Sequence, residues 1–561
     1  MKSLVSLLAL GIIGVLYLAN ALHGNLNQDE GWYLLAARSV SEGQMPYRDF
    51  AFTQAPVLPY VYSLLSGVIR EYGVLGGRLI TQAFGGLAIL FSVLLAARLA
   101  SPGARRNAAL TCLILVGINV YQSYFFTIVK TYSLCSAFFM LGLFLLACSG
   151  RNTTRPTAWL PSGIVPFFAG LCLAFAAGTR ISAGLAMPIA GLFLLFNFKR
   201  SGHRPWLFFG FGGALGLALV FLPLFLAAPE AMKFGIIEYH HGRVAENLLT
   251  LKAGFISRVT QAYLLALAVL GILILLKLPK PARTLPATSP KGLAFALWLI
   301  LAAITGLHLS AAFPYDDYQV FLFPLLGALI ASSLMSALTI NPSAEQALAV
   351  PSPEDPTPQT SAAKKPKPRL MPGLGMIQLL FLALATATAF SSQTNQDWFV
   401  EARDRIWWKM KPQSDVKTLQ EVGDWIQSES EPGDLLLTQD AYLAIEADRP
   451  VPSGLEMGPF SYYPEMANEQ AELLHLHNKT SLQALIQTTT APIAALSGYS
   501  FTIACPQVEE LASEHQQALQ AELEKRYRLD HEKTSFGQGH TTLRILRLHD
   551  AAVSPPKETP E

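Results

Sequence analysis

The sequence predicts a mainly α-helical polytopic membrane protein that ends in a small soluble α/β domain. Three observations predict it. Of the 561 residues, 52% are hydrophobic and only 14% are charged, whereas soluble domains carry about a quarter charged residues. Apolar runs recur along the first two thirds of the chain, each near the length of a helix that crosses a bilayer. From residue 392 the composition returns to that of a soluble domain. The net charge of +2 gives no footprint for nucleic acid as a partner. Cys112, Cys135, Cys148 and Cys172 lie in apolar runs and Cys505 stands alone in the tail, so neither metal spacing nor a disulfide framework is present.

Spans are expected at about 4–22, 79–97, 107–125, 131–148, 159–178, 182–198, 206–228, 259–276, 293–312, 318–338 and 372–391. The first reads as an uncleaved span, because a long apolar run follows Lys2 without a small-x-small cleavage pattern. Segment 57–69 is too short to cross and reads as an interfacial or re-entrant helix. The basic loops at 98–106, 151–155, 199–204, 277–291 and 364–369 then share one side with Lys2, and the positive-inside rule makes that side cytoplasmic. If 57–69 crossed, every one of them would move outside. Eleven spans follow, with the N-terminus inside. A transmembrane domain covers 1–338, with a first external loop at 23–78, and a Pro-, Ser-, Ala- and Lys-rich linker at 339–371 reads as disordered and cytoplasmic. The last span is 372–391, and the external domain is 392–561.

In that domain Val416, Leu419, Val422, Trp425 and Ile426 have helical spacing. Pro432-Gly433 makes a turn, 434–438, 491–496 and 543–548 read as strands, and 465–487 reads as helix. No GxGxxG, P-loop or nucleophile elbow occurs. The aromatic, Pro-rich loop 448–464 reads either as an acceptor-facing surface or as an ordinary structured loop. Asn478-Lys479-Thr480 is a glycosylation sequon with no supporting context.

Ionisable residues in a membrane protein are costly and carry a functional hypothesis. Here they gather at the external ends of spans. Asp29 and Glu30 follow span one, and Arg48 and Gln54 share their loop. Lys130 lies between the third and fourth spans, and Arg180 sits in a tight turn between the fifth and sixth. His240, His241 and Arg243 follow the seventh. Asp316 and Asp317 lie between the ninth and tenth. Each has a plainer reading. Asp29-Glu30 suits the cap of an amphipathic helix as well as catalysis, and Asp316-Asp317 suits the N-cap of span ten. Lys130 and Arg180 suit interfacial anchors. His240 and His241 lack the i, i+4 spacing of a helical zinc pair and suit phosphate contact better than metal.

The run Asp29-Glu-Gly-Trp-Tyr-Leu-Leu-Ala-Ala-Arg38, then Glu42-Gly-Gln-Met-Pro-Tyr-Arg-Asp49, Gln54-Ala-Pro-Val-Leu-Pro-Tyr60, Gly73 and Gly77-Arg78, resembles the first external loop of the GT-C fold glycosyltransferases. More narrowly, it is similar to the protein O-mannosyltransferase and lipid A aminoarabinose transferase group. The layout of spans and tail is similar too. The resemblance implies that Asp29 is a general base, with Glu30 at the second acidic position. Gln54-Ala55-Pro56 stands where the lipid A enzymes have a Lys-Pro-Pro-like motif, a departure that bears on donor and acceptor identity. The implied reaction moves a sugar from a polyprenyl phosphate to an acceptor hydroxyl on a protein, lipid or glycan, with inversion, at the external face of a bacterial inner membrane. The acceptor needs a base. The oxocarbenium-like transition state gains from nearby negative charge, and the leaving phosphate needs cations, for which Arg180, Arg243, His240 and Lys130 are candidates. No cofactor is implied, and the residues do not require a divalent metal, there being no compact carboxylate cluster beyond the pairs 29/30 and 316/317. A transporter or flippase of lipid-linked sugars is the alternative, and it predicts broken helices or charges at mid-span.

Overall fold

The computed structural model describes residues 2–149, 164–197, 204–241, 248–256, 292–340, 369–370, 374–390, 413–499, 501 and 513–549. Its first helix, α1 (Lys2–His23), is apolar almost throughout. The amphipathic stretch that follows forms α2 (Gln28–Ser41), and the short α3 (Val57–Ser63) lies in the region read as too short to cross. The next helix, α4 (Ser66–Leu99), begins well before the expected span at 79. It is broken at Gly73, whose φ of 54° and ψ of −134° only glycine adopts readily.

One expected span is divided. Residues 107–125 fold as α5 (Arg105–Gly117) and α6 (Val120–Phe125). Asn119 separates them, its side chain accepting from Gln122 N at 2.9 Å as the N-cap of α6. A cap inside a continuous apolar run restarts the helix, so this region is not one continuous helix. The remaining spans match their runs closely: α7 (Thr131–Cys148), α8 (Ile164–Thr179), α9 (Ala186–Asn197), α10 (Pro205–Ala227), α11 (Leu293–Ser310), α12 (Phe323–Ala337) and α13 (Leu374–Phe390). Six of the helices among the described residues are long and apolar enough to cross a membrane. Leu7, Phe211 and Phe295 are exposed on their outer faces, as lipid-facing residues are in a multi-pass membrane protein. The expected span at 259–276 and nearly all of the linker lie outside the described residues.

The tail is α/β. Strands β1 (Leu436–Thr438), β2 (Ile493–Leu496), β3 (Tyr527–Phe536) and β4 (Thr541–Leu548) form one sheet in the order β1-β2-β4-β3. Strands β1 and β2 are parallel, with Leu437 opposite Ala494; β4 runs antiparallel to both β2 and β3. The region read as one helix at 465–487 is two, Asn468–Leu473 and Lys479–Thr488, parted at His475, which has φ 54°. Asn478 is buried and caps the second of them, accepting from Ser481 N at 2.9 Å.

Two apolar cores hold the molecule together. One lies among the spans and includes Leu95, Phe139, Ile300 and Leu329. The other joins α2, α3 and the start of α4 to the tail, packing Leu34, Leu58 and Val74 with Leu443, Leu455 and Ile545. At Gly31 on α2 a Cβ would collide with the backbone of Ala441 and Tyr442, so the two backbones meet without a side chain between them.

Candidate active site

The local structure around Asp29 assigns its neighbours different tasks. Asn27 is the N-cap of α2: its side chain accepts from Asp29 N at 3.1 Å, and its own N donates to Glu30 Oε2 at 3.0 Å. This is a capping box, with Glu30 at the third helical position. Glu30 is fully buried and paired with Arg78, which donates from Nε at 2.8 Å and from a terminal nitrogen at 2.7 Å. Arg78 also donates to the carbonyls of Ala21, Gly24 and Asn25 at 3.0–3.1 Å, filling acceptors that the end of α1 leaves open. Capping and anchoring therefore fall on Asn27, Glu30 and Arg78, while the Asp29 carboxylate is engaged elsewhere.

Asp29 lines a cavity of about 1000 Å³ between the ends of the spans and the tail. Its Oδ1 accepts from Trp32 Nε1 at 3.1 Å, and its Oδ2 lies 3.0 Å from Lys130 Nζ. Lys130 immediately precedes α7, in the buried turn after α6, and its ammonium is also 3.4 Å from Asp317 Oδ2. The two acidic pairs of the sequence thus contribute one carboxylate each to a single ammonium. Asp317 sits in a 3-10 segment, Asp316–Leu322, that makes no side-chain cap. The N-cap position of that segment is Tyr315 and not Asp317, and Asp317 Oδ1 has no hydrogen-bond partner among the described residues.

Arg180 lies in the turn between α8 and the 3-10 segment Ile181–Leu185, as its spacing implied. It donates to Thr131 Oγ1 at 2.8 Å, and its guanidinium lies over the rings of Tyr132 at 4.5 Å and Tyr318 at 5.2 Å. It makes no ion pair among the described residues, and its Nε is unpartnered there. His240 lines the same cavity, and its Nε2–H donates to the Thr53 carbonyl at 2.9 Å. Gln54 also lines it, its own carbonyl accepting from the Tyr47 hydroxyl.

The cavity therefore brings together Asp29, Gln54, Lys130, Arg180, His240 and Asp317 from five separate stretches of chain. It does not include Glu30, for the reason given. Nor does it include Arg48, which is exposed and spends its donors on Asp49 at 2.8 and 2.7 Å. His241 closes the short helix Tyr239–His241 and Asp316 opens its 3-10 segment, but their side chains, like the whole of Arg243, lie outside the described residues. Sequence reasoning missed His308 and the aromatic wall of Trp32, Tyr33, Tyr132, Tyr315 and Tyr318. It also missed the tail's share: Phe460, Gly498, Tyr499 and Gln516 line the opposite side. A lone ionisable residue within an apolar span is the signal that points to His308.

No protein-family model and no curated protein sequence matches the chain. Solved structures do. ArnT from Cupriavidus metallidurans bound to undecaprenyl phosphate is similar at 12% identity and a TM-score of 0.57, covering 98% of this chain and 99% of that one. The same protein in the apo state gives 14% identity and a TM-score of 0.58, with 98% of each chain covered. An oligosaccharyltransferase from Archaeoglobus fulgidus is more distant, at 13% identity, a TM-score of 0.40 and coverage of 87% and 69%. At such identities the likeness is one of fold: this chain has the GT-C fold, as ArnT does, with its α/β domain at the C-terminus.

Proposed function

We propose that this protein is an integral membrane glycosyltransferase that moves a sugar from a polyprenyl phosphate to an acceptor hydroxyl, with Asp29 as general base. One observation carries the reading. On a GT-C fold, a cavity joins a carboxylate held by Lys130 at 3.0 Å to a guanidinium with no carboxylate of its own among the described residues. In the proposed step the acceptor oxygen attacks the anomeric carbon and gives its proton to Asp29. The bond from that carbon to the phosphate oxygen breaks, and its electron pair stays on the phosphate. Attack opposite the leaving group inverts the centre.

Arg180 is the proposed phosphate holder, since a planar fork of donors matches phosphate oxygens. Lys130 suits this role less, because two carboxylates already share its charge, and it serves instead to orient Asp29. Asp317 and Gln54 are proposed to contact sugar hydroxyls, and His240 to hold the loop at Thr53 against the cavity. Glu30 is proposed as an anchor for Asp29 and not as a second catalytic acid. ArnT bound to undecaprenyl phosphate is the precedent for a lipid phosphate on this fold. The distribution of basic loops supports a reaction at the external, periplasmic face of a bacterial inner membrane, with the N-terminus cytoplasmic.

The test is transfer of label from a panel of polyprenyl-phosphate sugars to a membrane extract by purified protein, wild type against Asp29→Asn. Loss of a general base is expected to slow transfer about 10²- to 10⁴-fold while the variant stays folded. Equal rates would remove Asp29 from the chemistry. Absence of transfer with every donor, together with movement of lipid-linked sugar across vesicles, would support a flippase instead.

A further inference from the structure

The cavity wall contains a histidine that the reaction above does not use. His308 lies near the end of α11, 5% exposed, and lines the cavity. Its Nδ1 is 2.9 Å from Gln319 Nε2, and Gln319 Oε1 accepts from Thr305 Oγ1 at 3.1 Å. As arranged here, the Gln319 amide presents its nitrogen to the ring and its oxygen to the Thr305 hydroxyl, so the amide nitrogen donates to Nδ1. A ring nitrogen that accepts carries no hydrogen, so the proton of the neutral ring sits on Nε2. That Nε2 has no partner among the described residues, and a buried donor left unpaired is costly.

The surroundings indicate which ligand atom would satisfy it. The His308 and Tyr318 rings are 5.6 Å apart, and Tyr318 also lies under the Arg180 guanidinium. Asp29 and Asp317 are both paired with Lys130, whereas two donors, Arg180 Nε and His308 Nε2, have no partner among the described residues.

We propose that His308 is a donor-site residue whose Nε2–H, held in that tautomer by Thr305 and Gln319, donates to a phosphate oxygen of the polyprenyl-phosphate leaving group beside Arg180. This rests on the reading above and adds to it one residue and one proton position. His308 transfers no proton. It stabilises the charge that gathers on the phosphate as the glycosidic bond breaks, and Gln319 and Thr305 act only through it.

The experiment measures binding of undecaprenyl phosphate, and of undecaprenol as the phosphate-free control, to the full chain in detergent. His308→Ala is expected to weaken undecaprenyl phosphate about ten-fold or more, as loss of a hydrogen bond to a charged group does, and to leave undecaprenol unchanged. His308→Gln, which keeps an N–H in the same reach, is expected to stay near wild type. Gln319→Glu gives Nδ1 an acceptor, so the neutral ring loses its Nε2 hydrogen. Affinity for the phosphate lipid then falls as pH rises through the ring's titration, with Arg180 and Tyr318 as the charged and titratable groups facing that ring, whereas wild type shows no such fall. Equal binding by wild type and His308→Ala overturns the inference and leaves the glycosyltransferase reading standing. Parallel loss of both lipids in His308→Ala also overturns it, since packing then accounts for the effect. Failure of wild type to bind undecaprenyl phosphate overturns both readings together. If His308→Ala does not fold, the pH profile of Gln319→Glu decides, and a flat profile overturns the proposal.

Discussion

At the scale of residues, adjacent acids have opposite fates, and the reason is helix geometry. Glu30 is at the position from which a side chain reaches back to the N-cap, so it is drawn inward to Asn27 and Arg78. Asp29, one residue earlier, emerges toward the cavity. A buried pair is costly to break singly, because the surviving charge is left uncompensated, at about 3–5 kcal/mol. Glu30→Gln and Arg78→Leu are therefore each expected to lower the melting temperature sharply and reduce yield, whereas Asp29→Asn, which faces the cavity, is expected to leave melting nearly unchanged. Comparable melting for all three would contradict the division of labour. Sequence alone identified Asp29 and Glu30 as a pair but left cap and catalyst tied, since the decisive partners, Arg78 and Lys130, are distant along the chain. Arg48 and Asp49 show the same limit in reverse: neighbours in sequence satisfied each other outside the site.

At the scale of elements, apolar length announced most spans, and breaks within them stayed silent. Asn119 in the third apolar run and Gly73 ahead of the second are single residues in otherwise continuous patterns. Gly73 has a partner in the tail: Glu446, at the end of the helix Ala441–Glu446, accepts from Val74 N at 2.9 Å and occupies the space a Cβ at Gly73 would need. Gly73→Ala combines that collision with a strained backbone, and a loss of about 1–3 kcal/mol is expected from the strain alone, read as a lower melting temperature. Glu446 adds a pH dependence. Burial, reinforced by Asp424, pushes its carboxyl from 4.5 up to about 7, against the opposing pull of Val74 N, Gln420 and Arg78. A carboxyl whose pKa is higher in the folded state stabilises fully below its unfolded pKa, and that contribution is lost as pH rises through the folded value. Melting temperature should therefore fall between about pH 4.5 and pH 7 in a way that Glu446→Gln removes. An unchanged slope in that variant would mean that Glu446 stays ionised at the junction.

At the scale of the whole molecule, the tail is a wall of the site and not an appendage, and nothing in its sequence carries a motif that says so. The reason is topological. The parallel strands β1 and β2 end side by side, and the segments leaving them, Gln439-Asp440 and Ser497-Gly498-Tyr499, lie where open α/β sheets present their ligand-facing loops. Asp440 Oδ1 ties the two ends together, accepting from Tyr442 at 2.8 Å and from Ser497 at 3.1 Å. Tyr499 then donates to Gln28 Oε1 at 2.9 Å, and Gln28 N donates to Gln538 Oε1 at 2.7 Å. Both bonds land on the residue before Asp29, so the tail holds the start of α2 in place from above while Arg78 holds it from below. Each bond is worth about 0.5–1.5 kcal/mol, so Tyr499→Phe with Gln538→Leu should raise hydrogen exchange across the first turn of α2 by roughly five- to thirty-fold or more. Exchange in α12, which the tail's core does not include, should stay at the wild-type level. Transfer should slow in the same double variant through a less well-placed Asp29, with the lipid phosphate bound as tightly as before. Unchanged exchange in α2 would show that the first external loop holds its shape without the tail.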